Sequence, residues 1–448
     1  MSTLPTPRSP VASARLLGLI LGAVLAPNAF AADKELLDIL LANGAITAEQ
    51  HSALSKKAAL TKEDVEKVVV SLDKKGLNIA SGDGDFEMKI GARLHVDGAM
   101  HSGETGGEEA TDGSEFRRAR IEMKGRFHRD WIWTAESDFA DNKVSIKDFW
   151  LGFEGLPGMT VMAGHQKQPY SLAVEMSSND IPFMERSIDN DLIIPFTDRS
   201  IGVRAESHGD HWFFAGGVFG DSIDPQKNDD EGWGTAGRFV LAPIVEADRI
   251  VHLGVRGAYR QPNSATSSIR MHDETTHFSN LDIVDTGDIE HVDGITLYGP
   301  EAALVYGPWS LSGEYNRGEV TRSSLDDLSF QSWHVAATWT LTGESRAGAY
   351  RIDAGEFKRL TGDHDFSLAD GGWGAWELAA RYARIDLNDG AFTGGEEDAF
   401  TAALNWYVNT NVRLMFDYTR IIDTDGTNAV RAAVPGLNVY QMRVQYTF

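Results

Sequence analysis

From about Phe86 to the last residue, apolar and polar side chains alternate with a period of two in short segments separated by Gly, Pro, Asp and Asn. The final segment shows this best. Tyr440, Met442, Val444, Tyr446 and Phe448 fall on one face, and Gln441, Arg443, Gln445 and Thr447 on the other. The first segment does the same, with Phe86, Met88, Ile90, Ala92, Leu94 and Val96 opposite Lys89, Arg93 and His95. One face suits lipid and the other suits water, so the pattern predicts an all-β fold: a transmembrane antiparallel β-barrel of about 16 strands over 86–448. The strands are expected to start near Phe86, Glu115, Trp131, Ser145, Met159, Arg199, His211, Trp233, Arg249, Gly294, Trp309, Ser329, Trp373, Asp398, Asn411 and Leu437. Joints such as Leu156-Pro157-Gly158, Gly209-Asp210 and Gly307-Pro308 are short, while alternate joints are long and acidic. An even strand count puts both ends of the barrel on one side, expected to be the periplasm. The terminal Phe448 after alternating aromatics resembles the signal read by the barrel-assembly machinery of Gram-negative bacteria.

Ahead of the barrel the period changes. Arg8 and Arg15, the apolar run Leu16 to Ala26 and Ala29-Phe30-Ala31 read as a signal peptide over 1–31, too short in its apolar part for the ~20 residues of a spanning helix. Residues 32–80 read as a periplasmic helical or coiled-coil segment. One apolar face runs through Leu36, Leu37, Ile39, Leu40, Leu41 and Ile46, and a second through Val65, Val68, Val69 and Leu72, with Thr61, Glu63 and Asp64 opening the second helix. Ser81 to Asp85 is a linker.

Composition narrows the function. The chain has no cysteine, so no disulfide or thiolate site holds an exported fold together. Its net charge of −25, more negative still once Arg8 and Arg15 leave with the leader, argues against nucleic acid as a partner. A mean hydropathy of −0.27 is what alternating wall residues average to. No G-x-S-x-G or H-E-x-x-H pattern points to an enzyme, and no cofactor or metal is implied. Asp423-Thr424-Asp425-Gly426-Thr427-Asn428 starts like a calcium loop but lacks the later Glu, and reads as a turn.

Assigning faces by alternation puts Lys89, Arg93, Arg118, Arg120, Lys124, Arg126, Arg204, Arg238, Arg256, Arg260, Arg381, Arg413 and Arg443 on the water side, with Arg270 just beyond strand nine. Glu87, Glu122, Asp148, Glu206, Glu377 and Asp417 interrupt them. Guanidinium groups along a wet channel can replace part of an anion's hydration shell at each step. They can equally pair with the wall acids and brace the barrel. A pore for passive diffusion of small hydrophilic solutes follows, with anions such as phosphate or polyphosphate expected. A general or cation-preferring pore, or a structural tether in the outer membrane, is the alternative.

Several segments together resemble the phosphate-selective porin O and P family: Phe116-Arg117-Arg118-Ala119-Arg120, Val251-His252-Leu253-Gly254 with Ala258-Tyr259-Arg260, and Leu341-Thr342-Gly343-Glu344. Gly374-Ala375-Trp376-Glu377-Leu378 with Arg381-Tyr382, Leu404-Asn405-Trp406-Tyr407-Val408-Asn409 and the aromatic C-terminus complete the likeness. The resemblance implies a trimeric sixteen-stranded barrel among outer-membrane lipid and lipopolysaccharide, with a loop folded into the pore after strand five, around 168–198. Candidate constriction residues are Glu175, Ser177, Ser178, Asn179, Asp180 and Arg186. Phosphate-binding members carry lysines on that loop, whereas Val174 to Asp180 has none, so the resemblance does not extend to a lysine-based phosphate site.

Overall fold

The computed structural model describes residues 34–58, 67–73, 76–103, 110–221, 223, 230–263, 267–273, 276–278, 281–425 and 436–448. The leader, the helix opening placed at Thr61, Glu63, Asp64 and Val65, and Gly426 to Asn428 of the predicted turn lie outside them. Among the described residues, sixteen antiparallel strands close into a barrel. In chain order they are β1 (Phe86–Ser102), β2 (Gly113–Phe127), β3 (Trp131–Asp138), β4 (Ser145–Leu156), β5 (Met159–Lys167), β6 (Arg199–Gly209), β7 (Trp212–Gly220) and β8 (Trp233–Val245). There follow β9 (Arg249–Gln261), β10 (Val292–Tyr306), β11 (Trp309–Arg322), β12 (Leu328–Thr340), β13 (Ala375–Asp389), β14 (Phe392–Tyr407), β15 (Val412–Asp425) and β16 (Asn438–Thr447). β16 closes on β1 from Asn438 opposite Ser102 to Thr447 opposite Arg93, leaving no free edge.

The predicted alternation is the wall's outer face. Phe149, Leu151, Val203, Phe214, Phe239, Val255, Leu311 and Val444 are all exposed, as side chains meeting hydrocarbon must be. At the rim that carries both barrel termini the aromatics gather. Trp309 stacks on Trp339 at 4.8 Å, Trp376 on Trp406 at 5.1 Å and Phe127 on Trp131 at 6.1 Å. Their amphipathic rings suit a lipid–water boundary.

Three expectations need correction. Val68–Asp73 and Gly76–Ser81 are strands, and not the continuation of a helical segment to residue 80. The second helix is Ala48–Ala58, capped reciprocally by Thr47 and Gln50 at 2.8 and 3.1 Å, after a first helix Lys34–Ala42. Val68, Val69 and Val70 are β-branched neighbours whose strand preference outweighs the i, i+3, i+4 spacing. Next, β14 begins at Phe392, six residues ahead of the expected Asp398, because Thr393 still pairs with Asn388 past a bulge. An acidic, glycine-containing stretch was thus strand where loop was expected. Finally, the joints at the terminal rim are not all short: between β12 and β13 residues 341–374 fold back into the barrel. There Arg346 grips Glu377 at 2.5 and 2.8 Å, and Tyr350 hydrogen-bonds His252 at 2.8 Å.

The inner face is not uniformly polar either. Tyr170, Leu192, Ile193 and Phe196, from the segment between β5 and β6, pack with Ile269, Met271 and Val284 from the β9–β10 connection. Both meet the inward-facing Ile295, Leu297, Val320, Phe330, Ile385 and Leu387 of β10 to β13. Each fully buried side chain of this size contributes roughly 1.5–3 kcal/mol, so the two segments are held on this half of the lumen by hydrophobic burial.

One place on that wall tolerates no side chain. Pro300 cannot donate to the ladder, and the β10–β11 register lapses from Tyr298 opposite Arg317 until Glu301 opposite Glu314. A Cβ on Gly299 would stand 1.8 Å from the Tyr315 carbonyl oxygen. Gly299→Ala is therefore expected to force the two strands apart and cost at least about 1–3 kcal/mol, read as a lower urea midpoint of the folded barrel. An unchanged midpoint would show that the wall yields freely here.

Candidate pore constriction

The segment 168–198 crosses the lumen. Its short helix Leu172–Glu175 is started by Ser171, whose Oγ accepts from the Val174 amide at 3.0 Å. Lys167 and Arg186 finish it: Nζ of Lys167 donates to the carbonyls of Val174, Glu175 and Met176 at 2.6, 2.9 and 3.1 Å, and Arg186 donates to those of Ala173 and Met176 at 2.7 Å each.

Wall residues then hold the segment in place. Glu301 of β10 accepts from the Leu172 amide at 2.9 Å and Glu314 of β11 from the Ala173 amide at 2.7 Å. Asp417 of β15 accepts from the Met184 amide at 2.8 Å, and Asn405 and Arg413 donate to the carbonyls of Pro182 and Ile181 at 2.7 and 3.0 Å. His334 of β12 binds Asp189 at 2.9 Å. These anchors lie on β10 to β15, and Arg93 and His95 of β1, Arg118 of β2, Arg204 of β6 and Arg443 of β16 bind the segment's side chains from the other side.

The space left forms two cavities, the first beside β1 to β6 and the second between β2 and β13 to β16. A cavity of about 380 Å³ towards the terminal rim is lined by Arg93, Arg118, Arg120, Lys124, Lys167, Arg186, Arg199, Arg204 and Lys358, against Glu122, Glu136, Asp148, Glu175, Glu206 and Glu356. A second, of about 450 Å³ towards the opposite rim, is lined by Arg117, Arg118, Arg120, Lys147, Arg186, Arg199 and Arg381, against Glu185, Asp191, Asp198 and Asp417. Bases outnumber acids nine to six and seven to four. Arg118, Arg120, Arg186 and Arg199 line both cavities and so mark the neck between them.

Of the wall bases expected to line the pore, Arg93, Arg118, Arg120, Lys124, Arg204 and Arg381 border these cavities. The others border neither. Arg238 and Arg256 have fully buried side chains that grip Glu301 at 2.6 and 3.1 Å; Arg256 also reaches Glu314 at 3.0 Å and lies over the Tyr170 ring of the inward segment, whereas Arg238 donates to the Gly355 carbonyl at 2.7 Å beneath the returning residues 341–374. Arg260 donates to the Gly220 carbonyl at 2.6 Å, and the buried Arg443 holds Asp97 at 2.7 and 2.6 Å. These four brace the wall. Arg126 sits at the terminal rim with Glu154 at 2.6 Å, and Lys89 lies where Asn78 pairs alongside β1. Arg270 is on the β9–β10 connection, bound to Asp285 at 2.6 Å. Alternation identifies which face a residue is on, and cannot say whether another segment later covers it.

Among the constriction candidates, Glu175, Ser177 and Ser178 line the first cavity and Arg186 both. Ser178 accepts from Arg93 at 3.1 Å, Asn179 shares a hydrogen bond with His95 at 2.9 Å, and Asp180 approaches Lys358 at 4.0 Å. Arg117, Lys147, Lys167, Arg199 and Lys358 complete the lining and were not among the expected pore residues. Arg117 turns inward because β2 bulges there: His95 faces Arg118 but Val96 faces Phe116, leaving Arg117 as the extra residue. Lys358 arrives on the returning 341–374 segment.

Arg117, Arg118 and Arg443 converge on Glu185. Arg118 binds it through both nitrogens at 2.8 and 2.9 Å, Arg117 Nε stands 3.2 Å away and Arg443 Nη2 2.6 Å. Burial works to raise the acid's pKa, but the three guanidiniums outweigh it and hold the carboxyl well below the usual carboxylate range.

Comparison with known proteins agrees with this architecture. The chain is similar to Porin O of Pseudomonas aeruginosa, 26% identical over 389 residues that cover 79% of this chain and 86% of that one. It is 28% identical over 333 residues to an uncharacterized Caulobacter vibrioides protein, covering 71% of this chain and 64% of the Caulobacter protein's length. The loop L8 deletion mutant of OmpT, an outer membrane protein of Vibrio cholerae, superposes with a TM-score of 0.53 over 81% of this chain and all of that one at 11% identity, a likeness of fold. Residues 88–448 match the family model for phosphate-selective porin O and P, which spans the barrel, its inward segments and the neck; the chain belongs to that family of outer-membrane channels.

Proposed function

We propose that this channel passes small hydrophilic solutes by diffusion with a preference for anions, phosphate among them. On this reading selection is electrostatic and occurs at the neck formed by Arg118, Arg120, Arg186 and Arg199. The observation that carries it is that these four guanidiniums border both cavities while bases outnumber acids in each lining. The chain as a whole is strongly acidic. Distant acids in wet connections act across a Debye length of ~8–10 Å, whereas neck charges meet a solute at contact and in a confined space. Arg120 engages Glu136 at 2.9 Å and Asp138 at 2.6 Å, and Arg199 engages Asp148 at 2.7 Å. The neck guanidiniums are thus pre-oriented by their acids, and the excess of bases is a property of the two cavity linings as a whole. No lysine cluster on the inward segment adds a dedicated phosphate site, which favours weak, broad anion preference over tight retention.

Reversal potentials across planar bilayers in asymmetric KCl test this. Chloride is expected to be the more permeant ion for the wild-type pore. A wild-type potential of cation-selective sign overturns the reading and leaves these arginines as braces.

A further inference from the structure

Glu185 stands out in the second cavity. This carboxylate of the inward segment is gripped by three guanidiniums, Arg117 and Arg118 from the bulged β2 and Arg443 from β16. About a third of its side chain, 32%, remains open to the cavity, so the group sits at the channel wall and not behind it. The charges around it do not cancel. Among the described residues, Asp97 and Glu185 are the two acids that pair with these three guanidiniums.

A carboxylate held bidentately by one arginine and approached by two more occupies the position an oxyanion would take. It is anionic, it uses up the Arg118 fork, and it presents negative charge to whatever enters the cavity. We propose that Glu185 is a specificity-determining residue whose carboxylate masks a three-arginine oxyanion subsite, acting as a tethered competitor of divalent anions. With the mask in place, monovalent ions pass the cluster and dianions gain no foothold. Without it, Arg117 and Arg118 would present their donors to the tetrahedral oxygens of a phosphate or sulfate dianion, with the buried charge of Arg443 behind them. This rests on the reading of the pore as an anion path.

The test uses full-length channels in planar bilayers, with inorganic phosphate added to symmetric KCl at neutral to mildly alkaline pH and block of the chloride current titrated. Glu185→Gln keeps the side chain's shape and removes its charge. It should lower the half-blocking phosphate concentration by about tenfold, the factor that about 1.4 kcal/mol of gained binding provides, and inorganic sulfate should show the same trend. Adding Arg118→Gln to Glu185→Gln should abolish the gain, which separates binding at the arginines from a general change in pore charge. Glu185→Asp, which withdraws the carboxylate by one methylene and keeps its charge, should give a smaller gain in the same direction and carries the test if the Gln variant does not assemble. Unchanged phosphate block in the assembled Gln variant, or an equal gain in the double variant, overturns the proposal. The two readings fail separately: a cation-selective wild type with a phosphate-sensitive Gln variant removes the anion preference and leaves the masked subsite standing, and an anion-selective wild type with an insensitive variant does the reverse.

Discussion

Glu301→Ala is expected to be among the most damaging single substitutions in the barrel. The carboxylate receives Arg238 at 2.6 Å, Arg256 at 3.1 Å, His252 at 3.1 Å and the Leu172 amide at 2.9 Å, and both arginines and the acid are fully buried. Removing it strands guanidinium charge beneath the inward segment with no route to water, and breaking a buried pair in this way costs roughly 3–5 kcal/mol. It also frees the start of the helix that shapes the constriction. The expected result is a large fall in the urea midpoint, with noisier or larger conductance steps in whatever protein still assembles. Arg238→Met added to Glu301→Ala should recover part of the loss, because the stranded charge is then absent. A loss below about 1 kcal/mol for Glu301→Ala, the range of exposed pairs, would show that water reaches this cluster.

The second large effect is on selectivity. Replacing Arg120 and Arg199 together by Gln removes two of the four neck guanidiniums and leaves Glu136 and Asp148 facing the channel, with Asp138 nearby, without them. The local balance then turns acidic where the path is shared by both cavities. Reversal potentials in asymmetric KCl should change sign towards cations, whereas the Lys/Lys variant should keep the wild-type sign because the charge remains. Arg120 and Arg199 side chains are 10% and 15% exposed, less hidden than the brace arginines, so the Gln pair should still assemble. An unaltered potential in the assembled Gln pair would place selection elsewhere than the neck.

The barrel itself was legible in the sequence because lipid imposes a simple constraint. Every second residue of a spanning strand must be apolar whatever the rest of the chain does. Hence strands predicted near Phe86, Trp131, Ser145, Met159, Arg199, Trp233, Arg249 and Trp309 begin at those residues. The segment likeness that suggested the family is likewise matched over 88–448. Local spacing misled only where two patterns competed, as at Val68–Asp73, or where a strand outran its apolar signal, as at Phe392.

The pore was legible only in part, since alternation gives a residue's side and not its cover. Arg93, Arg118 and Arg120 on one half of the wall and Arg238 and Arg256 on the other carry the same sequence signal. The first three border open cavities, whereas Arg256 is sealed beneath the inward segment and Arg238 beneath the returning residues 341–374. That difference is made by contacts between residues more than a hundred positions apart, such as Leu172 with Glu301, Ala173 with Glu314 and Met184 with Asp417. The bulge that turns Arg117 inward and the return of residues 341–374 that brings Lys358 to the lining are decisions of the same kind. The sequence by itself determined a closed wall with arginines on its inner face, because a two-residue period and lipid leave no other solution. Which arginines meet a solute was decided by tertiary structure alone, because a segment's burial against a distant wall depends on side chains that no local pattern relates.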